Sequence, residues 1–211
     1  MATFGDVYNA VVSGQADEAR RAVEARLAEG ASPESILREG LIPAMGEVGA
    51  RFERQEFYVP EMLIAARAMQ AGLAVLRPRL VAEGVAPTAR AAIGTVQGDL
   101  HDIGKNLVAM MLQGAGFEVL DLGTDVPAER FVAAARDGAQ LIGISALLTT
   151  TMARIPAVIR ALEEAGQRER VKVIVGGAPL TEAFARQAGA DGYAPDASLA
   201  VGASKSLLGL P

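Results

Sequence analysis

The stretch Arg90-Ala-Ala-Ile-Gly-Thr-Val96, followed by Gln97-Gly-Asp-Leu-His101-Asp-Ile-Gly-Lys-Asn106, decides how the rest of the chain is read. Its first seven residues form a short run that is apolar on both sides of the strand period, the mark of a strand buried on both faces. From Ile103 to Leu112 the apolar residues return at helical spacing. The same alternation repeats downstream. Phe117–Leu122 reads as a strand, then a helix opened by Pro127 carries Phe131, Val132 and Ala135. Leu141–Ser145 is a strand, Met152–Ala165 a helix and Val171–Val175 a strand. Leu180–Ala188 is a helix, Gly192–Ala194 a short strand, and a last helix follows Asp196. Apolar strands separated by helices imply a parallel sheet covered on both faces, and right-handed crossovers make it doubly wound. Ligands of such sheets bind beyond the carboxyl ends of the strands. The loops that matter therefore start near Gly98, Gly123, Ser145, Gly176 and Ala194.

Upstream of residue 85 the composition differs: nine arginines, twelve acids and no lysine, with few β-branched runs. Gly5–Val12 and Ala16–Leu27 read as helices, the second ended by Gly30. Ser32-Pro33-Glu34 opens a third, with serine as N-cap, proline at the first helical position and an acid in the first turn. Ile36, Leu41, Met45 and Val48 recur along it. A fourth starts near Pro60 and carries Met62, Ala65, Ala66 and Met69. Four amphipathic helices with short connections favour an antiparallel bundle. From Arg77 to Thr88 the pattern lapses around Pro78, Gly84 and Pro87, which reads as a linker.

Composition removes several classes of function. The chain has 211 residues, 51% of them apolar, with a net charge of −5 and no lysine before Lys105. An electrostatic grip on nucleic acid is not expected from such a chain. It contains no cysteine and a single histidine, His101. Disulfides, thiolate metal sites and zinc sites built from several imidazoles are thereby excluded. The first residues show neither the basic start nor the apolar core of a secretory signal, and no uninterrupted apolar run reaches the roughly 18 residues of a membrane span. The expectation is a cytoplasmic protein without membrane contact.

The loop Gly98–Asn106 nearly matches a phosphate loop, but five residues separate Gly98 from Gly104 where that motif has four. Asn106 stands where a serine or threonine would hold magnesium. His101 could serve as a general base, a metal ligand or a solvated loop residue. Asp99, two residues before it, could take its second ring N–H, the partner arrangement of metal-bound imidazoles. One imidazole cannot hold a bare ion, but it suffices where a macrocycle supplies the other ligands. Gly104 leaves room for a flat, bulky ligand. Ser145-Ala-Leu147-Leu-Thr149-Thr-Thr151 offers small hydroxyls, which could equally cap the next helix. Gly176-Gly177 removes side chains at the same sheet edge, or simply makes a tight turn.

Taken together, Asp99-x-His101-x-x-Gly104, Ser145-x-Leu147 and Gly176-Gly177, in this order on a parallel α/β pattern, resemble the vitamin B12-binding module. That module is shared by cobalamin-dependent methionine synthase and the corrinoid proteins of methylotrophic and acetogenic methyltransferase systems. The match extends through Gly98–Asn106 and Asp121-Leu-Gly, and the helical first half resembles the four-helix cap of the methyl-transfer members. The resemblance implies an α/β fold: an N-terminal four-helix bundle cap over residues 1–85, then a doubly wound, flavodoxin-like, parallel-sheet cobalamin-binding domain over residues 90–211.

It further implies a corrinoid methyl carrier, not catalytic on its own, whose cobalamin cofactor cycles between cob(I)alamin and methylcobalamin. In the family the histidine replaces the dimethylbenzimidazole base below cobalt, so His101 is the implied axial ligand (base-off, His-on). Asp99 and the hydroxyl of Thr151 would tune it. Ser145, Leu147, Thr149, Gly104, Gly176 and Gly177 would line or clear the pocket of the displaced nucleotide tail, with Tyr193 at its border. Tyr58, Met62, Ala65 and Met69 would cover the upper face of the corrin, or else form bundle core. The implied partners are a substrate-specific methyltransferase, an acceptor methyltransferase and a reductive activator. The competing readings are a cobalamin-dependent sensor or regulator, the small subunit of an adenosylcobalamin mutase, and a flavodoxin-like domain with another ligand. The sensors of this kind carry a tryptophan and a second histidine that this chain lacks.

Overall fold

In a computed structural model the described residues are 4–210, and they divide into two compact units. One comprises residues 4–88 with 114–116, the other residues 89–113 with 117–210.

The first unit is helical. Helices α1 (Gly5–Val12), α2 (Ala16–Ala28), α3 (Pro33–Ile36), α4 (Ile42–Glu53) and α5 (Val59–Ala82) follow in order. Ser32 caps α3 as its sequence implies: its hydroxyl accepts from the Ser35 backbone N–H at 3.1 Å, with Pro33 in the first turn. The segment from Pro33 to Glu53 is not a uniform α-helix, because Leu37–Leu41 forms a π turn. The cause lies two residues beyond it. Pro43 has no N–H for the Glu39 carbonyl, and its ring crowds that carbonyl, so the helix widens by one residue. The widened turn also explains the five-residue step from Ile36 to Leu41. Both side chains are fully buried, and the extra residue of the π turn brings a five-residue step closer to one whole turn than a 3.6-residue period would.

Helix α5 corrects the linker expected from Arg77. It runs to Ala82 with Pro78 inside it. An interior proline costs about 3 kcal/mol. Leu76 and Leu80 are both buried around it, at roughly 1.5–3 kcal/mol each, and this offsets the penalty. α5 is also the one described helix long and apolar enough to span a membrane by length and composition. The count of uninterrupted apolar residues misses it because Glu61, Arg67 and Gln70 are diluted among alanines. Eight of its residues, Met62 and Met69 among them, are buried, as in the core helix of a bundle.

The second unit is an α/β domain. Strands β1 (Arg90–Val96), β2 (Glu118–Val126), β3 (Leu141–Ser145), β4 (Lys172–Gly176) and β5 (Gly192–Tyr193) form one sheet in the order β2-β1-β3-β4-β5, with every pairing parallel. The intervening helices are α6 (Ile103–Gly114), α7 (Ala128–Arg136), α8 (Thr149–Met152), α9 (Ile155–Glu164), α10 (Glu182–Ala188) and α11 (Ala197–Leu207). β1 is buried from Ala91 to Val96 and β3 from Leu141 to Ile144, so the apolar runs occupy the sheet centre. Phe131, Ile155, Val158, Ile159 and Leu162 from α7 and α9 pack with Ile142, Ile144, Val173 and Val175 in the core.

Two boundaries differ from the sequence reading. The helix expected over Met152–Ala165 is split at Ala153-Arg154, and α9 restarts with Pro156 in its first turn, where a missing N–H costs nothing. Strand β2 continues past Leu122 to Val126, carrying two register shifts against β1. Each inserts one residue: Ile93 and Gly94 face Asp121 and Gly123, while Gly94 and Val96 face Gly123 and Val126.

Candidate functional site

The strand order reverses between β1 and β3, so the crevice beyond their carboxyl ends is the switch point of the sheet. The β1–α6 loop carries His101, and the β3–α8 loop carries Leu147. The two loops are joined through one carboxylate. Asp99 Oδ1 lies 2.7 Å from His101 Nδ1 and accepts from the His101 backbone N–H at 3.1 Å. Its Oδ2 accepts from the Thr151 hydroxyl at 2.6 Å and from the Leu147 backbone N–H at 2.8 Å. Thr151 Oγ1 in turn accepts from the Leu148 N–H at 3.3 Å. Behind the loop, the Thr95 hydroxyl donates to the His101 carbonyl at 2.9 Å.

Asp99 is completely buried. Burial by itself raises its pKa. The hydrogen bonds from Thr151, Leu147 and His101 outweigh it and hold the carboxyl well below the usual carboxylate range. An ionised Asp99 can only accept, so Nδ1–H donates to it, and Nε2 of the half-exposed ring is left with its lone pair. Asp99 therefore fixes both the tautomer and the orientation of the imidazole.

The surroundings of His101 are open and apolar. Nothing lies within 4 Å of where a Cβ on Gly104 would sit. Leu100 and Ile103 are 73% and 78% exposed, and Leu147 and Leu148 are exposed as well. Large aliphatic side chains left in water around one imidazole form a seat for a broad apolar ligand. Leu100, Ile103 and Leu148 are further candidates on this surface that sequence reasoning passed over. Their signal was available, since two large aliphatics interrupt a polar loop at Leu100 and Ile103. A second connection was also unread: Lys105 is buried, its Nζ 2.6 Å from Asp121 Oδ1 and 2.6 Å from Asn106 Oδ1, while Asn106 Nδ2 donates to Asp102 at 3.0 Å.

The other candidates distribute as follows. Ser145 ends β3, paired with Thr95 on one side and Gly176 on the other. Thr149 is exposed at the start of α8. A Cβ on Gly177, whose φ is +136°, would overlap the Ala146 carbonyl oxygen, and one on Gly176 would come to 3.0 Å from the Ala194 oxygen. Close packing of neighbouring loops thus demands both glycines, whatever else they admit. Tyr193 is half-buried beside Val175. In the helical unit Tyr58 is 63% exposed, whereas Met62, Ala65 and Met69 are buried. The three buried residues meet the bundle-core reading left open above.

A five-stranded parallel sheet with one carboxylate-held imidazole on the loop at its switch point fits a domain that binds a cofactor there. The chain belongs to the B12 binding domain family: residues 89–202 match that domain, and residues 4–77 match a second family described in the same words. It is a cobalamin-binding corrinoid protein. Among its relatives, the dimethylamine corrinoid protein of Methanosarcina barkeri is 46% identical over 206 residues, covering 96% of both chains. A cobalamin-binding protein from Desulfitobacterium hafniense DCB-2 has a similar structure, with a TM-score of 0.78 and 28% identity over 96% of this chain and 97% of that one. The methanol:cobalamin methyltransferase complex MtaBC of M. barkeri contains a chain matched with a TM-score of 0.86 and 27% identity, over 97% of this chain and 78% of that one.

The residues present fit that cofactor. A corrin needs one further axial donor and a flat space beside it, and His101 Nε2 with the open Gly104 offers both.

Proposed function

We propose that this chain is a methyl carrier that binds cobalamin base-off with His101 as the lower ligand. It would receive the methyl group from a substrate-specific methyltransferase and deliver it through an acceptor methyltransferase. The observation that carries the reading is the Asp99–His101 pair, with Nδ1 held by a buried carboxylate while the ring is half-exposed. When bound, cobalamin supplies a cobalt centre able to take up and release a methyl group.

The protein's own residues supply the rest. His101 donates Nε2, and Asp99 keeps the imidazole oriented and its Nδ1 proton in place. Thr151 and the Leu147 N–H keep Asp99 ionised, so the carboxylate remains the acceptor that holds the Nδ1 side of the ring. Leu100, Ile103 and Leu148, exposed here, would exclude water around His101 once the cofactor covered them. Ser145, Leu147, Thr149 and Tyr193 would line the tail of the cofactor, with Gly104 open beside it and Gly176 and Gly177 letting the neighbouring loops pack closely at the same sheet edge. The high identity to a dimethylamine corrinoid protein makes a methylated amine the donor to test first. A reductive activator and a cytoplasmic location complete the proposal.

The test is to mix the apoprotein with hydroxocobalamin, remove free cofactor by gel filtration and record the absorbance of what is retained. About one equivalent should stay with the wild type. His101→Ala should retain much less, and after reduction to cob(II)alamin its electron paramagnetic resonance should lack the splitting by an axial nitrogen. Absence of retained corrinoid in the wild type would overturn the reading.

A further inference from the structure

The loop that presents His101 is held from a direction that the histidine motif does not include. Asp125 lies near the end of β2, in the second of its two single-residue bulges. Its φ of +53° places it in the left-handed region, which only glycine, asparagine and aspartate adopt readily. Bulges re-aim side chains, and this one turns Asp125 onto the neighbouring loop. Asp125 Oδ1 accepts from the Gly98 N–H at 2.7 Å, and the Asp125 N–H donates to the Asp99 carbonyl at 3.0 Å. One residue thus grips the backbone on both sides of the Gly98–Asp99 junction, immediately before the Asp99–His101 pair. Gly98 itself has φ +85°, one of the many conformations open to glycine, and the Asp125 acceptor selects it by fixing the direction of the Gly98 N–H.

We infer that Asp125 is a positioning residue for the cobalt ligand: through Gly98 and Asp99 it holds the loop in the geometry that aims His101 Nε2. The inference rests on the corrinoid reading above and concerns a residue outside the Asp99–His101–Thr151 set. A bulge that served only to end the strand would need neither an acid nor a left-handed backbone at this point.

The experiment uses the full chain loaded with hydroxocobalamin and reduced to cob(II)alamin. Asp125→Gly keeps the positive φ and the backbone N–H and removes only the acceptor for Gly98. It should weaken cobalamin affinity about tenfold, the loss expected for one charge-assisted hydrogen bond, and lower the fraction showing axial nitrogen splitting. Its far-UV circular dichroism and thermal midpoint should stay close to wild type. Asp125→Asn, with a neutral oxygen in the same place, should lose about threefold. Equal affinity and equal splitting in wild type and Asp125→Gly would overturn the proposal. If Asp125→Gly did not fold, Asp125→Asn would decide alone, and wild-type affinity and splitting in it would be the refuting result. A wild type that retains no corrinoid refutes the carrier reading instead, so the two failures are distinguishable.

Discussion

The two units of this protein bury different things. In the helical unit the buried side chains among the described residues are apolar, from Val7 and Val23 to Met62 and Leu76. All six buried polar or charged side chains among the described residues, Thr95, Asp99, Lys105, Thr151, Ser198 and Ser204, belong to the α/β unit. Four of these six surround the loop that carries His101. The charges of the helical unit lie on its surface as ion pairs such as Arg26–Asp6, Arg38–Glu34 and Arg51–Glu47. The first unit is therefore held by area and volume, which tolerate many sequences. The loops of the second are held by directional bonds, each of which specifies a residue type and a place. A buried polar network is stabilising only when every member is satisfied, and no buried polar side-chain atom among the described residues lacks a partner.

Substitutions can break or sharpen this contrast. The largest effect is expected at Gly177→Ala, where both the left-handed backbone and the Ala146 carbonyl forbid a Cβ. A loss of at least about 4 kcal/mol, read as poor soluble yield and a collapsed thermal midpoint, would mark steric demand as the strictest constraint in the α/β unit.

Asp99→Leu should follow, at about 3 kcal/mol by urea denaturation, because the Thr151 hydroxyl and two backbone N–H groups lose their acceptor. The same residue sets a pH dependence. Its carboxyl is depressed in the folded state, so its contribution is complete above the unfolded value of about 3.9 and fades as pH falls below it. Wild-type stability should drop on acidification below roughly pH 4, and Asp99→Leu should show a flatter profile over the same range.

In the helical unit Met62→Ala should cost about 2–3 kcal/mol, the ordinary toll of a core cavity, with the axial nitrogen splitting of the loaded protein unchanged. A change in that splitting would show the contrast between the units to be too simple. The smallest effect belongs to Arg38→Ala, which removes an exposed pair with Glu34 and should shift stability by less than about 0.5 kcal/mol.

Individual residues show where local reading succeeds. Ser32 and Pro33 announce a helix start because capping uses atoms within three residues of each other. Strands β1 and β3 were readable to the residue, since burial on both faces leaves an uninterrupted apolar run. β2 was cut short because it is an edge strand whose second half is bulged and mixed with polar residues. Pro78 reads as a breaker because its local penalty is visible in sequence, whereas the burial of Leu76 and Leu80 that outweighs it is not. The motif Asp99-x-His101-x-x-Gly104 was legible as a pattern, and the 2.7 Å contact inside it follows from a separation of two residues.

The sequence by itself thus determined the elements, their alternation and the histidine that matters, because periodicity, caps and short motifs are encoded within a few residues. The tertiary structure alone decided which distant groups complete the site. Thr151 reaches Asp99 across 52 positions, Leu147 across 48, and Asp125 reaches Gly98 across 27. Such meetings depend on strand order and register, which place the ends of β1, β2 and β3 side by side. A one-residue shift in either bulge of β2 would turn Asp125 away from the loop it holds.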